Sequence, residues 1–264
     1  MDPVLRVALA FALFAVAHVG LASSAVRQPL VARLGRWGFT VCFSLVAWLT
    51  FGLAVSTYAA HAHEGPAGLG LGAHAAARFV LVAAIAAGSM LMAGAFAGYA
   101  RSPYSFGGEP VREPRGLERV TRHPFFVGVA LLGGAHALLA TRLVGAVLMG
   151  SLALFALVGA WFQDRKLLAL RGAPYAAYLA ASSTLPFAAI AAGRQRLAAS
   201  ELPYGMLGLG LALAWLLRGV HAQLFDHGGA YVIAAVVIGP LVILFGEWRR
   251  ERRSRRPAST ALVR

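Results

Sequence analysis

Seven apolar runs, each close to the length at which a helix crosses a bilayer, limit what this chain can fold into. They cover residues 4–23, 37–60, 79–100, 125–140, 143–162, 202–225 and 230–248. A hydrocarbon core about 30 Å thick takes about 20 helical residues. Inside it every backbone N–H and C=O must be paired within the protein, and helices meet that demand one segment at a time. The runs predict an all-α polytopic transmembrane helix bundle of about seven spans, a single integral membrane domain over residues 1–264 with a basic tail at 249–264. Composition agrees, with 13% of residues charged against about a quarter in a soluble domain. The fourth run is short and must borrow residues around His123 or tilt little. Thr141-Arg142 alone joins it to the fifth, so the two form a tight antiparallel hairpin. Gly94 and Gly98 make a G-x-x-x-G in the third run, a spacing that lets another helix pack close.

The basic residues give the orientation. Of the 24 Lys and Arg, all but Arg6, Arg78, Arg142 and Arg218 fall on the first, third and fifth connections or on the tail. Such residues stay on the cytoplasmic side, so the N-terminus is expected outside and the C-terminus in the cytoplasm. The formal charge of +14 then faces anionic membrane lipids, and its distribution between apolar runs argues against a nucleic-acid partner. The first run follows Asp2 and lacks an A-x-A-like cleavage site, so it reads as a retained span and not a signal peptide. Cys42 is the single cysteine, which excludes a disulfide framework and a C-x-x-C metal site. Residues 187–197 read as interfacial. The third connection alternates Glu109, Glu113 and Glu118 with arginines and reads as solvated.

Titratable side chains at membrane depth are costly and point to function. His123-Pro124 opens the fourth run, where proline suits a first helical turn whose N–H has no partner. His123 is either a cap there or, with Arg122, part of a polar site at the membrane surface. Asp164 ends the fifth run on the same side. It is placed to anchor His123, Arg122 or a cationic ligand, or else to pair with Arg165 in solvent. His136 lies about 20 Å further along a straight helix and about 140° around it, so it has a separate task. Gly133, Gly134 and Ala135 offer it no side-chain partner, and its ring is expected to meet another helix or a metal. His18 lies in the first run and His221 near the outer end of the sixth. Three such histidines raise the prospect of metal or haem ligation, and by depth His221 matches His136 better than His18 does. His61, His63 and His74 sit in an outer loop, where His-x-His is a weak metal signal. Tyr175 and Tyr178 share one helical face at the interface, where tyrosines are common.

Arg122-His123-Pro124, the apolar hairpin with Ala135-His136, Asp164-Arg165-Lys166-Leu167, Tyr175, Tyr178 and Pro186-Phe187 together resemble the NnrU family of bacterial membrane proteins. That region runs from about residue 4 to 225. The family is linked to denitrification genes, is similar to the plant zeta-carotene isomerase, and more distantly looks like isoprenylcysteine and phospholipid methyltransferases. The resemblance implies a bacterial inner (plasma) membrane protein. On the isomerase pattern it implies haem b with His18 and His136 as axial ligands, His123 also needed, and a hydrophobic small-molecule substrate; Gly133 replaces a cysteine of that pattern. On the methyltransferase pattern it implies S-adenosylmethionine held near Arg122 and His123, a lipid or small thiol as substrate, and a carboxylate pair that here reads Gln163-Asp164. A third implication is a non-enzymatic accessory role in nitrogen-oxide respiration. Catalytic work falls to His123, Arg122 and Asp164, and cofactor binding to His18, His136 and, by depth, His221.

Overall fold

In a computed structural model, residues 1–99, 102–103 and 110–254 are described; Glu109, Ala100 at the end of the third run, and the tail beyond Ser254 lie outside them. Each apolar run has most of its length on a helix, the sixth overrunning its helix at both ends. The elements are α1 (Pro3–Ala22), α2 (Ser24–His61), α3 (Ala75–Tyr99), α4 (Leu117–Val120), α5 (Pro124–Leu139), α6 (Leu143–Arg171), α7 (Ala173–Ala181), α8 (Ala188–Ala191), α9 (Tyr204–Gly219) and α10 (Asp226–Ser254). Four of them, α1, α2, α3 and α6, are long and apolar enough to cross a membrane. α5 and α9 have 16 residues each, about 24 Å of helix, and are shorter than a full crossing. α10 is apolar from Asp226 to Gly239. Large apolar side chains such as Leu49, Phe79, Leu154 and Trp215 stand exposed along these helices. That many bare apolar side chains suit a lipid solvent and not water. The chain is a helical membrane protein.

Helix ends follow local chemistry. α2 begins well before its apolar run, and Gly35 at φ 71, ψ 170 interrupts it two residues before Trp37. Only glycine takes that conformation without steric cost. α6 outlasts its apolar run, carrying Asp164 as far as Arg171, where Gly172 ends it with a left-handed φ of 58.

The helices gather into two compact units. The first holds Met1–Leu9 and His61–His221. Here α3 and α5 touch where Gly88 faces Gly128; a Cβ on either would stand 2.6 Å from the other's carbonyl oxygen. Gly133 of α5 meets the α6 backbone at Met149 and Ala153, and Gly210 of α9 meets Ser89 and Met90 of α3. Lipid is as apolar as leucine, so close backbone approach and van der Waals packing hold such helices together. The expected G-x-x-x-G is half used among the described residues: Gly94 faces Leu117 and Leu207, whereas a Cβ on Gly98 meets none of them within 4 Å. Residues 65–70 clasp the α5–α6 turn. Gly68 and Gly70 N–H donate to the Thr141 and Ala140 carbonyls at 2.9 and 3.0 Å, and Leu143 N–H donates to Pro66 at 2.9 Å.

The second unit holds Ala10–Ala60 and the chain from Ala222 onward. Phe14 packs edge-on against Phe51, with ring centroids 5.1 Å apart. Val55 of α2 meets Gly229 of α10, and Tyr58 packs on Phe225.

A buried carboxylate hub and a histidine pair

The connection from α4 to α5 is extended, with Thr121 at φ −150, ψ 135. Its neighbour in space is the segment after α7. Arg122 N–H donates to the Ser183 carbonyl at 2.8 Å, and Phe187 N–H donates to Val120 at 2.8 Å. The Thr121 hydroxyl donates to the Thr184 carbonyl at 2.7 Å. Pro124 then starts α5, with His123 at the cap position but making no side-chain cap bond. The imidazole reaches α6 instead.

Asp164 is where the reach ends. Its Oδ1 accepts from His123 Nε2 at 2.8 Å and from the Tyr175 hydroxyl at 2.7 Å, and its Oδ2 accepts from Arg122 Nε at 2.9 Å. His123 is 2% exposed, Tyr175 0% and Asp164 9%. Of the alternatives the sequence leaves open, Asp164 joins both Arg122 and His123; Arg165 lies over the Trp161 ring, 4.8 Å from its centroid. A carboxylate accepts and never donates, so the proton of this contact sits on His123 Nε2, and bonds to an ionised acceptor are the strong ones.

Tyr175 is the member the sequence reading missed. It is no interfacial anchor but wholly buried, because Gly172 turns the chain and α7 folds back beside α6. Its ring stacks on that of Tyr178 at 5.6 Å, and both pack on Leu167. The signal was the Gly172 and Pro174 punctuation, which converts a continuing interfacial helix into a return.

The third connection also departs from expectation. Glu118 is buried, accepting from both amino groups of Arg112 at 2.7 and 3.1 Å and from Arg115 N–H at 3.2 Å. Burial pushes its carboxyl up, against the pull of Arg112. Glu201 takes the Arg119 guanidinium at 3.0 and 3.1 Å and Gly116 N–H at 2.8 Å. Those bonds pull its carboxyl down from 4.5 to about 2.

His136 finds its first partner on its own helix: Nδ1 lies 2.8 Å from the Leu132 carbonyl oxygen. The expectation that no partner lay on that helix considered side chains and overlooked the carbonyl one turn back. A carbonyl only accepts, so Nδ1 carries the proton and Nε2 of the neutral ring keeps its lone pair. The His221 ring stands 5.9 Å away with its plane within 10° of parallel. Among the described residues, a Cβ on Gly134 would meet nothing within 4 Å, on a side of α5 about 200° round from His136. His18 belongs to the second unit, with the Phe14 and Phe43 rings at 5.4 and 4.8 Å. Among the described residues, no three His, Cys, Asp or Glu side chains form a metal-binding group.

Family comparison places this arrangement. The profile of the NnrU protein family matches residues 6–228. The chain belongs to the NnrU family. It is also similar to the chloroplastic 15-cis-zeta-carotene isomerase of Zea mays, 39% identical over 82 residues, or 31% of this chain and 22% of that protein. The same enzyme of Arabidopsis thaliana is 39% identical over 80 residues, 30% of this chain and 22% of that protein. The matched segment thus spans about a fifth of the length of these isomerases. No solved structure matches.

Proposed function

We propose that this NnrU protein is an isomerase-like enzyme acting on a hydrophobic, carotenoid-like polyene within the membrane, with haem b held at His136. The observation that carries the reading is the His136 ring itself. Its Nδ1 is committed to Leu132, which leaves Nε2 as the ligating nitrogen. The near-parallel His221 ring fits such a group, so His221 is the favoured partner and His18 the alternative that the isomerase resemblance suggests. When bound, haem supplies a redox-active iron. The chain's own contribution is to fix the imidazole tautomer, admit an apolar substrate from lipid and keep water away.

In this reading His123 and Asp164 are positioning residues, too buried to touch a substrate, and Arg122 is the part of the hub open to a ligand. The methyltransferase alternative needs a carboxylate free to receive the cation of S-adenosylmethionine. Asp164 is the carboxylate available, and it already accepts from three groups of its own chain, which favours the isomerase reading.

The test is the visible spectrum of the purified protein supplied with haem. A Soret band is expected in the unmodified protein, lost or reshaped in His136→Ala and His221→Ala. Loss in His18→Ala with His221→Ala unchanged would transfer the second ligand to His18. An unmodified protein that takes up no haem at saturation would sink the proposal; binding of S-adenosylmethionine would then support the methyltransferase alternative, and binding of neither would leave the accessory role in nitrogen-oxide respiration.

A further inference from the structure

The hub uses one of Arg122's side-chain donors. Nε donates to Asp164 Oδ2, while the two terminal amino groups donate to no side chain or carbonyl among the described residues. The side chain as a whole is 18% exposed. A guanidinium edge with two parallel N–H groups matches the spacing of phosphate or carboxylate oxygens.

A second, independent feature lies beside it. The segment hydrogen-bonded to the Arg122 backbone carries Leu185 and Phe187, which are 69% and 55% exposed. Phe187 is held at φ 63, ψ −6, the left-handed region, which is a genuine outlier for a bulky residue. Such strain persists where surrounding structure fixes it and where function uses it. Here the Phe187 N–H bond to Val120 fixes it. Phe125, in the first turn of α5, is 40% exposed as well. A cationic side chain on one segment and bare apolar side chains on the segment hydrogen-bonded to it are together the complement of an amphiphile with an oxyanion head.

We propose that Arg122, with Leu185 and Phe187 beside it, forms a binding site for an anionic phospholipid: the guanidinium edge grips the headgroup phosphate and the apolar pair lies along the acyl chain. The apolar pair distinguishes this source of phosphate from the free ion, which has nothing to place there. The proposal does not rest on haem or on isomerase chemistry.

The experiment is native mass spectrometry of the full chain in neutral detergent, titrated with phosphatidylglycerol or phosphatidylcholine of the same acyl length, with inorganic phosphate as competitor. Retention of one phosphatidylglycerol in preference to phosphatidylcholine is expected. Arg122→Lys keeps the charge but loses the paired donors, and weakens retention about tenfold. Phe187→Gly removes the aromatic while accepting φ 63 without penalty, and the folded variant is expected to bind phosphatidylglycerol more weakly too. Equal retention of the two lipids would overturn the site. So would a folded Phe187→Gly that holds phosphatidylglycerol as tightly as the unmodified chain. Displacement of the lipid by inorganic phosphate at equal concentration would overturn the lipid assignment in favour of the free ion.

Discussion

Asp164→Asn is the sharpest single perturbation of the hub. It keeps shape and volume and removes the charge on which three donors converge: Arg122 Nε at 2.9 Å, His123 Nε2 at 2.8 Å and the Tyr175 hydroxyl at 2.7 Å. An amide has one accepting oxygen, and its NH2 must turn toward a donor. Removing one partner of a buried ion pair costs about 3–5 kcal/mol. The Arg122 and Asp164 side chains retain 18% and 12% exposure, so water recovers part of the loss and about 3 kcal/mol is expected. Tyr175→Phe removes one hydroxyl and should cost about 1–2 kcal/mol. Reversible unfolding in mixed micelles, followed by tryptophan fluorescence, gives both values. Asp164→Asn and His123→Ala combined should depart from additivity by at least about 1 kcal/mol, since they share a bond. Additive effects, or an Asp164→Asn chain as stable as the unmodified one, would refute the account of Asp164 as the common acceptor.

Glu201 gives a pH signature. Its carboxyl is held at about 2 by Arg119 and Gly116, below its ordinary 4.5, so the stabilisation is complete above about pH 4.5 and is lost as pH falls toward 2; the melting temperature of the unmodified chain should fall more steeply than that of Glu201→Gln across that window. Gly128→Leu should push α3 from α5 and cost about 1–3 kcal/mol, whereas Gly98→Ala, whose Cβ meets no described residue within 4 Å, should change little in the same unfolding assay. Reporter fusions after Leu69 and after Gly193 should label opposite sides of the membrane, with Leu69 outside; labelling of one side by both would reverse the orientation drawn from the basic residues.

The helices were legible because apolar runs bounded by charge have few other ways to exist in a bilayer. The breaks at Gly35 and Gly172 are glycine punctuation that the apolar runs alone do not locate. The hairpin was legible from Thr141-Arg142, and with it the meeting of His123 and Asp164. What remained hidden needed tertiary knowledge. Tyr175 counts as interfacial until α7 is known to fold back, and then it becomes the third donor to Asp164. Glu118 counts as solvated until Arg112 is known to wrap it. Gly94 and Gly98 have the spacing of a contact motif, yet Gly88 and Gly128 make the closest approach, because only three-dimensional register decides which small residues face each other. His136 and His221 could be matched in the sequence by depth alone; that their rings stand 5.9 Å apart and within 10° of parallel needed the fold.

The clasp over the α5–α6 turn bears on how the chain is made. Arg142 donates to the carbonyl of Gly65, 77 residues earlier. The loop around Gly65 therefore emerges from the ribosome long before its partner and waits, with α3 already synthesised, until the hairpin turn follows. At the opposite end of α5, Arg119 waits 82 residues for Glu201. A nascent chain arrested between Leu143 and Asp164 therefore has the turn end of α5 clasped and the Arg122 end still without its carboxylate, and that end closes in stages, at Asp164, at Ser183 and Phe187, and last at Glu201.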